Sequence, residues 1–198
     1  MPLPPPNLDS QFSLEKAIGQ RRSVRGYADA PLTLEHVSQL LWAAQGLTSP
    51  AGLRAAPSAG ATYPLEVYAV VGDVTGLDPG IYHYSNRAHD LTLTSEGDRR
   101  DALAAAALGQ SIIEDAPLSL VIAAVPARTS RRYGERTNRY VAMEAGHAAQ
   151  NVYLQATALG LGTVVVGAFT DDAVNRAAGL GEAEPLYIMP IGKLPQEL

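Results

Sequence analysis

Residues 131–169 read RRYGERTNRYVAMEAGHAAQNVYLQATALGLGTVVVGAF. The middle of this stretch has the period of an α-helix from about Asn138 to Leu159. Val141, Ala145, Ala148, Val152, Ala156 and Leu159 recur at helical spacing and share one apolar stripe. Gly160 follows where a left-handed residue would stop the helix. Thr163–Val166 is then β-branched and apolar, and reads as a short buried strand.

A second stripe on the same helix is polar. Tyr140, Glu144, His147 and Asn151 step by four, three and four residues, so they share a face. Two readings stay open: satisfied polar groups on a buried or wet face, or the wall of a site. Glu144-x-x-His147 also has the form of a di-iron ligand pair. That chemistry needs a second such motif, and the sequence has none. The four histidines, His36, His83, His89 and His147, have no zinc-type spacing. Small residues at Ala145, Gly146, Ala148 and Ala149 would let another backbone approach closely. They predict self-association of this helix across a two-fold axis.

The chain of 198 residues suits one domain with a sizeable core. A net charge of −5 argues against a nucleic-acid surface. The absence of cysteine removes disulfides and thiolate chemistry, which fits a cytoplasmic protein. No apolar run reaches the roughly 18 residues of a membrane span. The start, MPLPPPNLDSQ, has no signal-peptide pattern, and its prolines predict an extended, weakly ordered arm over residues 1–12.

Moving outward, Ser13 can cap a helix from Leu14 to about Gln20. Arg21, Arg22, Ser23 and Arg25 then gather three guanidinium groups and a hydroxyl at its end. Such a set suits a phosphate, although arginines also favour the negative end of a helix dipole. Thr33 caps a second helix with Leu34, Val37, Leu40, Leu41 and Ala44 on one face, ended by Gly46. Residues 47–64 form a long irregular piece containing Pro57, Ser58, Ala59 and Gly60, small enough to approach a flat ligand closely. Strands are predicted at Glu66–Val71, Ile81–Ser85, Leu91–Thr94, Leu118–Val125 and Leu186–Ile191. Further helices are predicted at Asp98–Leu108, Pro126–Tyr133 and Asp171–Ala178. The order does not alternate regularly, so the fold class is α+β, one mixed sheet with helices packed around it. No Gly-x-Gly-x-x-Gly follows a strand, which argues against a Rossmann site.

In this order and spacing, the motifs resemble the nitroreductase superfamily of FMN-dependent oxidoreductases, and within it the SagB/ThcOx-type dehydrogenase branch. The residues that carry the resemblance are Arg-Arg-Ser-x-Arg at 21–25, Pro-Ser-Ala-Gly-Ala-x-Tyr-Pro-Leu-Glu at 57–66 and Arg-Tyr-Gly-Glu-Arg at 132–136. Glu-Ala-Gly-His-x-x-Gln-Asn at 144–151 and Gly-Leu-Gly-Thr at 160–163 complete them. The resemblance implies one FMN-binding domain over 13–198, and a homodimer with FMN at the interface and the long central helix beside it. It implies that Arg21, Arg22, Ser23 and Arg25 hold the phosphate and ribityl chain. Pro57, Ser58, Ala59 and Gly60 lie along the ring, Val165, Val166, Gly167 and Ala168 face it with their backbone, and Lys193 is a late basic phosphate ligand.

Tyr133 and Arg132 match the branch's proton-handling Lys-Tyr pair, with arginine in place of lysine. Arginine is a poor base, so azoline oxidation is not implied with the same force. The sequence also stops soon after Lys193, so a long C-terminal arm around the partner is not expected. The resulting expectation is hydride transfer through flavin N5 in a ping-pong cycle, with NAD(P)H as a candidate donor and a small molecule or peptide as substrate. The alternative is a flavin-binding or non-catalytic partner subunit of a peptide-modifying complex.

Overall fold

The two middle strands of the sheet explain why the chain folds in layers. β2 (Leu65–Val71) and β6 (Leu118–Ala124) are apolar on both faces and antiparallel, with Leu65 opposite Ala124 and Val71 opposite Leu118. Val67, Ala69, Leu120 and Ile122 point into one core. Tyr68, Val70, Val121 and Ala123 point into another. A strand buried on both sides needs a helical layer on each. The computed structural model, which describes residues 1–195, shows that arrangement.

On one face lie α1 (Leu14–Gln20), α2 (Leu34–Gln45) and α6 (Thr137–Ala158). On the other lie α3 (Arg100–Ala106), α4 (Ser111–Asp115) and α7 (Asp171–Ala178). The sheet order is β5-β4-β2-β6-β8-β7. β4 is Gly80–Ser85, β5 Asp90–Glu96, β7 Leu161–Thr163 and β8 Glu184–Lys193. A two-stranded parallel pair, β1 (Leu32–Thr33) with β3 (Val74–Thr75), stands apart. α5 (Ala127–Tyr133) and a short 3₁₀ turn (Gly134–Arg136) lead into α6.

Most sequence expectations hold to within a residue or two, because local signals decide them. Ser13 Oγ accepts the Lys16 N–H, and Thr33 with His36 closes a reciprocal capping box. Four expectations need correction. The main sheet is antiparallel at every pairing of its six strands rather than mixed; among the described residues parallel pairing occurs only in β1–β3 and in a Ser23–Thr163 bridge at the β7 edge.

The last short strand is Leu161–Thr163, not Thr163–Val166. Its ladder with β8 starts directly after Gly160, and the Gly162 Cβ position is already filled by the Val24 side chain. Beyond Thr163 the chain keeps only a one-residue bridge, Val166 to Ile188.

The N-terminal arm is extended but docked. The amino terminus donates to Leu91 O at 2.6 Å, Leu3 N–H to His89 O at 3.1 Å, and Ser38 Oγ to Pro4 O at 2.6 Å, while Leu3 is buried. Unpaired edge groups of β5 and α2 capture it, a non-local effect that proline content cannot reveal. Finally, Ala145 and Ala149 are 1 % and 3 % exposed within this one chain, packed into the core shared with α2. They are therefore not the self-association surface; among the small residues of that segment only Gly146 remains half-exposed. Of the expected 13–198 domain, residues 196–198 lie outside the described residues.

Candidate functional site

Two clusters of side chains form against α6, one at each end. At its C-terminal end the α1 C-terminus, β7 and the segment after β7 converge on Tyr153. Tyr153 Oη accepts the Val165 N–H at 2.8 Å and lies 3.3 Å from Ser23 Oγ. The Arg21 guanidinium stands over the same ring at 5.0 Å from its centroid. Val24 N–H donates to Thr163 O at 3.0 Å, which fixes the 21–25 segment alongside β7. One phenol thus joins the basic segment to the 165–168 segment.

Among the described residues, no salt bridge occupies Arg21, Arg22, Arg25 or Lys193. Arg22 is tied to backbone, donating to Gly19 O and Arg21 O. Lys193 ends β8 opposite Leu161, and its charge bears on His36, adding to the burial that lowers the imidazole's pKa. No hydrogen bond joins the Lys193 side chain to Ser23 or Tyr153 among the described residues.

At the N-terminal half of α6 the 57–63 loop meets α5. Arg132 Nη1 donates to Gly60 O at 3.2 Å. A Cβ on Gly60 would stand 2.5 Å from Tyr133 Oη, and Gly60 has φ 58°, so close approach and backbone both favour glycine here. Tyr133 packs edge-on against Tyr140 at 5.0 Å between centroids. A pocket of about 250 Å³ is lined by Pro57, Ser58, Ala59, Tyr140, Met143, Glu144 and His147.

This loop is strained. Ala61 and Tyr63 also lie in the left-handed region, with φ 54° and 47°. Such residues cost about 1–3 kcal/mol each and persist only where surroundings over-determine them. Here Ser58 Oγ accepts the Tyr63 N–H at 2.9 Å, Thr62 Oγ1 meets Thr129 Oγ1 at 2.9 Å, and Arg128 Nη1 donates to Tyr63 O at 3.2 Å. The Arg54 guanidinium covers the Tyr63 ring at 4.5 Å. Arg128 is held in turn by Glu66 at 2.5 Å, and His83 Nε2 lies 2.7 Å from the other Glu66 oxygen. Burial alone would raise the Glu66 pKa; the bonds from His83 and Arg128 outweigh it and hold the carboxyl below the usual range.

The polar stripe on α6 divides by role. Asn151 is structural, donating to Ala43 O at 3.1 Å and Ala55 O at 3.2 Å. His147 is exposed. Glu144 is 2 % exposed, and its Oε1 has no hydrogen-bond partner. Tyr153 lies outside that stripe and was missed; a lone tyrosine on an apolar helix gives no signal until its partners are in place.

Of the residues expected at a site, Arg21, Ser23 and Val165 meet at Tyr153, and Pro57, Ser58, Ala59, Gly60, Arg132 and Tyr133 gather at the loop. Val166 instead packs into the core on the other face of the sheet, Ala168 O accepts from Gln110 Nε2 at 3.0 Å, and the two clusters do not touch. Glu144 and Tyr153 are nine residues apart, about 13 Å along the helix.

The sequence model of the Nitroreductase family matches residues 18–193. This chain belongs to the nitroreductase family. The match takes in Arg21–Arg25, the 57–60 loop, both ends of α6 and Lys193, so this nitroreductase-family protein is an oxidoreductase whose clusters all lie inside the family region. It is 49 % identical over 183 residues to the Methanocaldococcus jannaschii protein named "Putative nitroreductase MJ1384", covering 92 % of each chain. In fold it is similar to a nitroreductase-type crystal structure from Ralstonia eutropha, with TM-score 0.86, 31 % identity, and coverage of 98 % of this chain and 89 % of that one. The NADPH:FMN oxidoreductase of Vibrio harveyi, solved with NAD+, shares the fold at TM-score 0.67 and 22 % identity, over 92 % of this chain and 69 % of that one. No helix among the described residues is long and apolar enough to cross a membrane.

Proposed function

We propose that this chain is an FMN-dependent oxidoreductase of the SagB-type branch, acting in the cytoplasm as a homodimer whose flavin sites are each built from two copies. The observation that carries this reading is the separation of the two clusters. The basic cluster at Tyr153 and the loop cluster at Glu144 sit at opposite ends of α6 in one chain, each incomplete as a flavin site. A two-fold partner can bring one chain's basic end against the other's loop. Exposed apolar side chains near α1 and α6, Leu14, Ile18, Leu53 and Met143, supply a surface for it.

The residues present fit FMN. Guanidinium groups without salt-bridge partners among the described residues, with Ser23, suit a phosphate and a polyol chain. The small Pro57–Gly60 backbone and the half-open Val165–Ala168 segment suit a flat ring. Lys193 lies farther along β7–β8 and contributes long-range charge. When bound, FMN carries hydride equivalents at N5, and a ping-pong cycle follows if donor and acceptor use the same face.

The protein's own part is to bind, orient and manage protons. Tyr133, whose Oη rests on Gly60, is the proton-handling group at its phenol oxygen. Arg132 anchors the loop through Gly60 O and lends positive charge, and it does not act as a base. The donor named for the Vibrio harveyi protein, NADPH, is the first to try here.

The test is purification followed by absorbance spectroscopy and anaerobic titration with NADPH and NADH. The expected result is a flavin spectrum at one FMN per chain that bleaches with a reduced nicotinamide or an organic donor. A protein that stays colourless after incubation with FMN would overturn the reading and favour the non-catalytic partner subunit.

A further inference from the structure

Among the described residues Glu144 is the one buried residue of charged type, and the cluster chemistry above does not use it. Its Oε1 is sealed from solvent without a hydrogen-bond partner. The Ser58 hydroxyl and the Ala59 N–H bear on the carboxyl from the wall of the same pocket, and the loop they belong to carries three left-handed residues in four positions, Gly60, Ala61 and Tyr63. We infer that Glu144 is a positioning residue for the loop of the site proposed above: neutral and buried, it seats the strained 57–63 turn, and its ionisation unseats it.

The physical reason is the price of a buried charge without a partner. A neutral carboxylic acid can accept from Ala59 N–H or Ser58 on one oxygen and hold its proton on the other. A carboxylate in the same place would leave Oε1 charged, buried and unpaired. The titratable and charged groups around it are Arg54, whose charge bears on the carboxyl, and Tyr140 and His147 of its own helix, which line the same pocket; Tyr63 lies beneath Arg54, and Arg132 and Tyr133 stand against Gly60 of the loop. The Arg54 guanidinium is itself engaged by Gln45 Oε1 at 2.8 Å and Leu65 O at 3.3 Å. Burial therefore prevails over Ser58, Arg54 and Ala59, and raises the Glu144 pKa. A glutamine of the same shape would fill the space without titrating. What the acid adds is a proton it can lose.

The sign of the pH effect follows. With the loop seated, the carboxyl keeps its proton to a higher pH than it does when freed, where it ionises near its ordinary 4.5. As pH rises through that value the freed state gains and the seated state does not, until pH passes the raised value and the difference stops growing. Each unit of difference multiplies loop opening by about tenfold.

Hydrogen–deuterium exchange of the loop amides tests this in wild type and Glu144→Gln. The reporters are Ala61, Thr62 and Tyr63, whose N–H groups are bonded to Ser58 O, Ala59 O and Ser58 Oγ. At about pH 4, below the ordinary value of the freed carboxyl, the two proteins should exchange alike; at about pH 9 the wild-type loop should exchange severalfold faster than the variant. Equal loop exchange at both pH values overturns the inference. If Glu144→Gln fails to fold, wild type alone decides: the ratio of loop exchange to α7 exchange should rise with pH, and a constant ratio overturns it. Titration of both apoproteins with FMN is a separate arm. Binding that weakens with pH in wild type and stays flat in the variant supports the inference. Failure of both proteins to bind at any pH overturns the flavin reading, while the exchange result still decides the role of Glu144.

Discussion

The two ends of α6 are built by opposite means. The C-terminal end is made of relaxed parts: cations without salt-bridge partners among the described residues, a regular β7 edge and one phenol that ties them together. The N-terminal half is made of strained parts: left-handed Ala61 and Tyr63, a glycine with no room for a Cβ, and a buried acid with a free oxygen. On the reading proposed above, the first is a surface for an anion. The second is a conformation held against its own preference by Arg54, Arg128, Arg132 and Thr129. Relaxed elements suit tight, undirected holding of charge, and strained ones suit a place where geometry must be exact and can respond.

Substitutions can break or sharpen this contrast. The largest expected effect is at the strained end. Tyr133→Phe should slow the substrate half-reaction by about 10²–10⁴ while flavin affinity stays unchanged, read by stopped-flow absorbance. Equal half-reaction rates in both proteins would remove Tyr133 from the chemistry. At the relaxed end, Arg21→Ala should weaken FMN by one to two decades, from roughly 1.5–3 kcal/mol for a charge-assisted contact, with the reaction rate at saturating flavin little changed. A fluorescence titration checks it, and wild-type affinity there and in Arg25→Ala would dismiss the phosphate assignment.

Gly60→Ala should lower stability by about 1–2 kcal/mol, since an L-residue is placed at positive φ and Tyr133 must shift. Denaturant unfolding measures it. Tyr153→Phe should cost about 1 kcal/mol by leaving Val165 N–H and Ser23 unbonded, and should loosen 165–168 in hydrogen exchange without touching the 57–63 loop. The smallest effect concerns acid. Glu66 is held below its ordinary 4.5, so its contribution is fully present above that value and is lost as pH falls through the depressed one. Arg128→Met should flatten that acid-side loss by under about 1 kcal/mol, since Arg128 is partly exposed.

Much of the relaxed end was legible in the sequence, and little of the strained end was. Arg21, Ser23, the Ser13 and Thr33 caps and the period of α6 are local signals, each readable from neighbours a few positions away. The direction of the small residues was not. Ala145 and Ala149 could face a twin helix or the chain's own sheet, and only the packing of α2 decides for the latter. The left-handed backbone of Ala61 and Tyr63 left no trace, because neither residue prefers it and the side chains that impose it come from residues 54, 128 and 129. The β7 shift has the same origin: β-branched residues at 163–166 look like a strand, but β8 offers its partners to 161–163. The resemblance to nitroreductases placed the family correctly and named both clusters, without showing that one chain holds them apart.

The measurement that bears most directly on the account is complementation between two disabled chains. One carries Arg21→Ala with Arg25→Ala, which breaks the relaxed end; the other carries Gly60→Val, which breaks the strained loop. Each alone should bind little FMN. If every site joins one chain's basic end to its partner's loop, the purified mixed dimer holds one site with both halves intact, and it should bind one FMN with wild-type affinity. If both halves of a site come from the same chain, every site in the mixed dimer stays broken. A mixed dimer that binds no better than its parents would contradict the account.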